Sequence, residues 1–130
     1  SYESGIFFIE LPSSRRLAYV RPKVVKDDNG KNIITYEGID NSHKWNRLKT
    51  YGAKLVENIT QGVARDLLLY AMQNMQDMEI VGHVHDEVII ECTPDVSVEQ
   101  VCELMGQTPE WAEGLLLRAD GYECAFYMKQ

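Results

Sequence analysis

Two histidines and two acids lie within five positions in the stretch Ile80-Val81-Gly82-His83-Val84-His85-Asp86-Glu87-Val88-Ile89-Ile90-Glu91, with β-branched residues on both sides. Side-by-side carboxylates repel one another unless a cation lies between them. For Asp86 and Glu87 a divalent ion is the simplest such partner, and hard oxygen donors with little sulfur suit Mg²⁺ or Mn²⁺. The His83-Val84-His85 spacing invites a different chemistry, because two imidazoles so placed chelate one transition metal in hydrolases. That site would need further ligands, and the third histidine, His43, stands in a polar stretch far along the chain. A third reading needs no metal, since an Asp-Glu pair at a hairpin tip is an ordinary solvated turn. Residue types alone leave the three open.

The backbone that carries these groups is also open to two readings. In an unbroken strand, alternation puts His83, His85 and Glu87 on one face and Asp86 on the other. In a hairpin with Val84 and Val88 on separate strands, His85, Asp86 and Glu87 crowd the tip. Such a tip holds none of the Asn, Gly or Pro that tight turns prefer. A local rule broken where charge concentrates is a mark of function, and His83 then reads as structural.

The elements around this stretch follow from periodicity. Leu55, Val56, Ile59, Val63, Leu67, Tyr70 and Ala71 recur at helical spacing, which predicts a long helix from about Thr50 to Gln76. Asp95 to Gly106 reads as a shorter helix, with Ser97 and Gln100 as a capping box. Thr108-Pro109-Glu110 predicts a cap followed by Pro at the first helical position. Upstream, Ile6 to Glu10 and Arg16 to Val20 flank a turn at Pro12-Ser13-Ser14. Val24-Val25 and Ile33 to Tyr36 flank Asp27-Asp28-Asn29-Gly30, a hairpin signal. Gly38 to Lys49 reads as irregular, pinned by Trp45. Leu115 to Arg118 and Glu123 to Met128 read as closing strands. The expected fold is α+β, with antiparallel β-hairpins and one long and one shorter helix. The expected organisation is one fragment over 1–130, with a β-ribbon region over 1–49 and the long helix, metal hairpin, last helix and C-terminal strands over 50–130.

Composition bounds the rest. The 130 residues carry 13 Lys and Arg against 20 Asp and Glu, a net charge of −7. The excess is uneven: residues 1–54 sum to +4 and residues 55–130 to −11. A basic half and an acidic half fit an anionic polymer on one side and cations near the other. No apolar run approaches the roughly 20 residues of a membrane span, and the first ten lack signal-peptide features; a cytoplasmic protein is expected. Cys92, Cys102 and Cys124, odd in number and in apolar surroundings, predict buried free thiols without a chemical role.

The hairpin and its neighbours together resemble the family A, polymerase I-like DNA polymerases of the phage and prophage type. Val84-His85-Asp86-Glu87-Val88 is similar to their motif C, a His-Asp-Glu turn on a palm-domain hairpin. Leu11 to Leu17, LPSSRRL, is similar to the family's Arg-bearing ribbon, and Tyr51 to Leu69, YGAKLVENITQGVARDLLL, to the helix before motif C. Val98 to Met105 and Gly121 to Tyr127 are similar to its last helix and C-terminal strands. The resemblance implies the C-terminal palm portion of a DNA-directed DNA polymerase. Its substrates would be primer-template DNA and dNTPs, and its cofactor two Mg²⁺ or Mn²⁺ ions. It assigns Asp86 as a catalytic metal ligand, Glu87 as the adjacent acid and His85 as a neighbour of the primer 3′ end. Gln61 matches a glutamine that reads the minor groove. Asn58 stands as its companion, three residues ahead where the family has four, and Arg15 and Arg16 fit a basic ribbon near DNA or equally plain surface charge. The family's first catalytic aspartate (motif A) and its nucleotide-binding fingers helix precede this region and have no counterpart here, so the chain alone is expected to be inactive. The rival expectations are a non-catalytic DNA-binding or assembly module of a split polymerase, and the His-x-His hydrolase.

Overall fold

Hairpin signals dominate the first half of the sequence, and they fold into one antiparallel meander. In the computed structural model, which describes residues 1–128, strands β1 (Tyr2–Glu3), β2 (Ile6–Glu10), β3 (Arg16–Lys26), β4 (Asn32–Ile39) and β5 (Trp45–Thr50) pair in the order β1-β2-β3-β4-β5. Helix α1 (Gly52–Asn74), strands β6 (Glu79–Val84) and β7 (Glu87–Glu91), helix α2 (Val98–Met105) and a 3₁₀ turn over Glu110–Ala112 follow. Two antiparallel sheets with one long and one shorter helix make the α+β class expected from the sequence. The chain divides into two compact units, Ser1–Val63 and Ala64–Gln130, so α1 begins in one and ends in the other. Among the described residues no helix is long and apolar enough to cross a membrane.

In the first unit the β3–β4 and β4–β5 links share one design. Asp27 Oδ1 accepts the backbone N–H of Asn29 (2.9 Å) and Lys31 (2.8 Å), and Gly30 takes a φ of 75°. Asp40 Oδ1 likewise accepts the N–H of Ser42 (2.8 Å) and Lys44 (3.1 Å), with His43 at φ 59° in the glycine's place. The Asp40 loop corrects the expectation that 38–49 is irregular: β4 runs on to Ile39, and Trp45 opens β5. This strand hid because its less exposed positions include Arg47 and Thr50 while Trp45 is exposed, so no apolar alternation marks it. Trp45 is exposed, and its indole N–H donates to Glu37 Oε2 at 3.4 Å.

The core of this unit gathers under the sheet's centre. Leu11 and Tyr19 are buried, and the Tyr19 ring meets Tyr36 edge-on at 5.2 Å. The middle of α1 meets Leu11 at Gly62, where a Cβ would come within 2.8 Å of Leu11 Cδ1. Glycine there permits a contact any side chain would obstruct.

The second unit is built on the inward stripe of α1, with Leu68 and Ala71 buried on the helix and Met75 buried just past its end. Helix α2 has the expected capping box: Gln100 N–H donates to Ser97 Oγ at 3.3 Å, and Ser97 N–H to Gln100 Oε1 at 3.0 Å. Three expectations need correction. Pro109 sits at the cap of the 3₁₀ turn rather than inside a helix, and its carbonyl accepts from Ala112 N–H at 3.0 Å. The segments 115–118 and 123–128 form no strands. A strand exists only where a neighbour pairs its backbone, and the β6–β7 ladder has just its two members. Gly114, at φ 86°, turns the chain before Leu115, and the Tyr122 hydroxyl donates to the Met128 carbonyl at 2.6 Å, folding that segment on itself. The cysteines are free but not buried: Cys92 and Cys124 are exposed, beyond the strand that apolar neighbours suggested, and Cys102 is half-buried.

Candidate metal-binding hairpin

The Ile80–Glu91 stretch is a hairpin, not one strand. Val84 pairs with Glu87, so His85 and Asp86 alone make the link. His85 has a φ of 54° and Asp86 is not among the positive-φ residues, the sign pattern of a type II′ turn, where glycine usually holds the first position. A side-chain-bearing residue in that region costs about 1 kcal/mol or more. The local rule is therefore broken where the charge is densest.

His85, Asp86 and Glu87 are all exposed. Among the described residues their side chains make no hydrogen bond or ion pair. Both carboxylates thus stand ready for an external cation. Glu87 is nonetheless felt nearby: the Tyr122 phenol is pushed up, by desolvation first and then by the charges of Cys124 and Glu87.

The ladder also contains an extra residue. Ile80 pairs with Ile90 and Gly82 with Ile89, which leaves Val81 as a β-bulge. Beyond the bulge His83 pairs with Val88, and its Nδ1 meets Arg65 NH1 of α1 at 3.3 Å. A guanidinium can only donate, so Nδ1 accepts and the proton sits on Nε2. His83 is thereby turned to the helix rather than to the tip. A cationic guanidinium on one ring nitrogen also weighs against zinc held jointly by His83 and His85.

The sequence-identified residues of the first unit divide by exposure. Gln61 is exposed, and its amide N–H donates to Glu57 Oε1 at 3.3 Å. Glu57, whose carboxylate also holds Lys54 at 2.8 Å and raises the lysine's pKa, occupies the position four ahead of Gln61. Asn58 turns inward instead, donating to the Tyr19 hydroxyl at 3.1 Å. Arg15 donates to the Gly62 carbonyl at 2.9 Å. Arg16 pairs with Glu3 at 3.3 Å and lies 4.2 Å from the Phe8 ring centroid. On β4, partial desolvation raises the Glu37 carboxyl, but Trp45, Arg21 and Arg47 outweigh it and hold the pKa below its usual value.

The donor set fits a hard divalent ion in part. Asp86 and Glu87 supply the oxygen chemistry such an ion takes, yet among the described residues no three His, Cys, Asp or Glu side chains converge. Two acids alone would supply only part of a coordination sphere. Arg65 escaped the sequence reading, although its isolation as the one cation between Lys54 and Arg118 is visible there.

The DNA polymerase of Bacillus phage SP02 is 46% identical over 132 aligned residues, covering 98% of this chain. The chain spans 20% of that relative's length. No protein-family model matches the chain, and no solved structure matches it.

Proposed function

We propose that the chain is the C-terminal palm portion of a family A, polymerase I-like DNA-directed DNA polymerase, which extends a primer 3′ end from dNTPs on a DNA template. The observation that carries this reading is the Asp86-Glu87 pair. Two exposed carboxylates, engaged by no cation among the described residues, sit at a strained turn in a chain largely alignable with a phage DNA polymerase. Two bound Mg²⁺ or Mn²⁺ ions would make the 3′ hydroxyl a better nucleophile and steady the departing pyrophosphate.

The chain's own residues hold and orient. Asp86 is the principal ligand and Glu87 the secondary acid, while His85, fixed by its turn, borders the primer terminus. Gln61, kept in place by Glu57, reads the minor groove. Asn58 supports it from behind through Tyr19. Arg16 faces the DNA backbone, and Arg15 ties the ribbon to α1 at Gly62. The remaining metal ligand and the nucleotide-binding fingers belong to other parts of the polymerase. A share of a metal sphere does not catalyse alone, so the isolated chain is inactive.

The test is primer extension by the full-length polymerase carrying Asp86→Ala. The rate should fall on the order of a thousandfold, and the isolated 130-residue chain should extend no primer. Wild-type extension by the variant, Asp86-dependent extension by the isolated chain, or stoichiometric zinc held by His83 and His85 would each overturn the reading.

A further inference from the structure

Arg65 is a solitary cation. Between Lys54 and Arg118 the sequence has twelve Asp and Glu but no other Lys or Arg. Arg16, Arg21, Arg47, Lys54 and Arg118 each close onto a carboxylate. Arg65 does not. It is exposed, it meets His83 Nδ1 at 3.3 Å, and among the described residues it has no carboxylate partner.

A neutral imidazole orients a guanidinium without cancelling its charge. The other N–H donors of the fork stay available, and such a fork matches the oxygens of a phosphate. A simple latch between α1 and β6 needs no uncompensated charge; an amide would serve it as well. The position adds the ligand's source. His83 lies three residues ahead of Asp86, with one strand residue and the turn between them, a span of at most about 10 Å, which is a few nucleotides of one DNA strand.

We propose that Arg65, oriented by His83, binds a backbone phosphate of the primer strand a few nucleotides from its 3′ end. Arg65 is the binding residue and His83 a positioning residue. The inference rests on the polymerase reading above.

The experiment measures primer-template affinity of the full-length polymerase at several salt concentrations, for wild type, Arg65→Ala, Arg65→Lys and His83→Ala. Arg65→Ala should weaken binding about tenfold and lower the slope of log affinity against log salt by about one. Arg65→Lys, keeping the charge, should keep the slope. His83→Ala should lose part of the affinity at an unchanged slope. An unchanged affinity for Arg65→Ala overturns the proposal, and so does a loss shared equally by Arg65→Lys or one that leaves the salt slope intact, since both describe a structural latch. Failure of the underlying reading looks different: the wild-type protein would then show no Asp86-dependent primer extension at all.

Discussion

At the β3–β4 tip the left-handed position is filled by Gly30, and Asp27 turns its carboxylate back onto two loop N–H groups. At the β6–β7 tip His85 fills it, and the acid beside it bonds to nothing in the loop. The β4–β5 tip is the control between them, with His43 strained but Asp40 holding the loop as Asp27 does. Strain at a non-glycine residue is thus no sign of function by itself. Strain next to carboxylates that the fold leaves unused is the distinguishing combination.

The comparison breaks most visibly at the acids. Asp86→Ala should cost full-length primer extension on the order of a thousandfold with its unfolding midpoint unmoved, whereas Asp27→Ala should leave extension intact and cost about 1 kcal/mol of stability. If Asp27→Ala lost activity as well, the two tips would not differ in role. Next comes the glycine. Gly30→Val puts a β-branched residue at positive φ and should cost about 2 kcal/mol in urea unfolding.

The histidines sharpen the contrast further. His85→Gly and His43→Gly each relieve about 1–2 kcal/mol of strain and return part of it as unfolded-chain entropy, for a net gain of about 0.5–1 kcal/mol. Only His85→Gly should slow extension, by roughly tenfold, because it frees the tip that Asp86 is held on. Equal kinetics for the two variants would remove His85 from the site.

The smallest effect is in acid. The Ser42 hydroxyl, and after it the Lys44 N–H, hold the Asp40 carboxyl below its usual value against partial desolvation. A lowered folded value means the ionised form is favoured by folding. That stabilisation is present above the unfolded value of about 3.9 and is lost as pH falls through the folded one. Protection of the Ser42 and Lys44 amides, taken relative to their intrinsic exchange rates, should therefore fall below about pH 4, and Asp40→Asn should flatten that dependence.

What could be read in advance followed periodicity and capping chemistry. The long helix, the capping box and the hairpin at Asp27-Asp28-Asn29-Gly30 all have local signatures, and each is present, whereas the 80–91 tip carries none of the usual turn residues. Strand β5 lacked such a signature, because Arg47 and Thr50 stand at its less exposed positions and Trp45 is exposed. The apolar residues of 115–118 and 123–128 imitated strands, but pairing is a property of neighbours that sequence does not display. Asn58 is out of step with Gln61 in spacing, and its side chain turns inward to Tyr19. The Arg65–His83 contact joins residues eighteen apart, beyond any local pattern.

Val81 is half-exposed and belongs to no cross-strand pair. Excising it would leave every partner in the hairpin where it is: Ile80 opposite Ile90, Gly82 opposite Ile89, His83 opposite Val88. Only the local bend and twist would go. The direction in which Asp86 is aimed is therefore written in a valine that touches none of the chemistry, and the tip could be re-aimed in evolution without altering one residue of it.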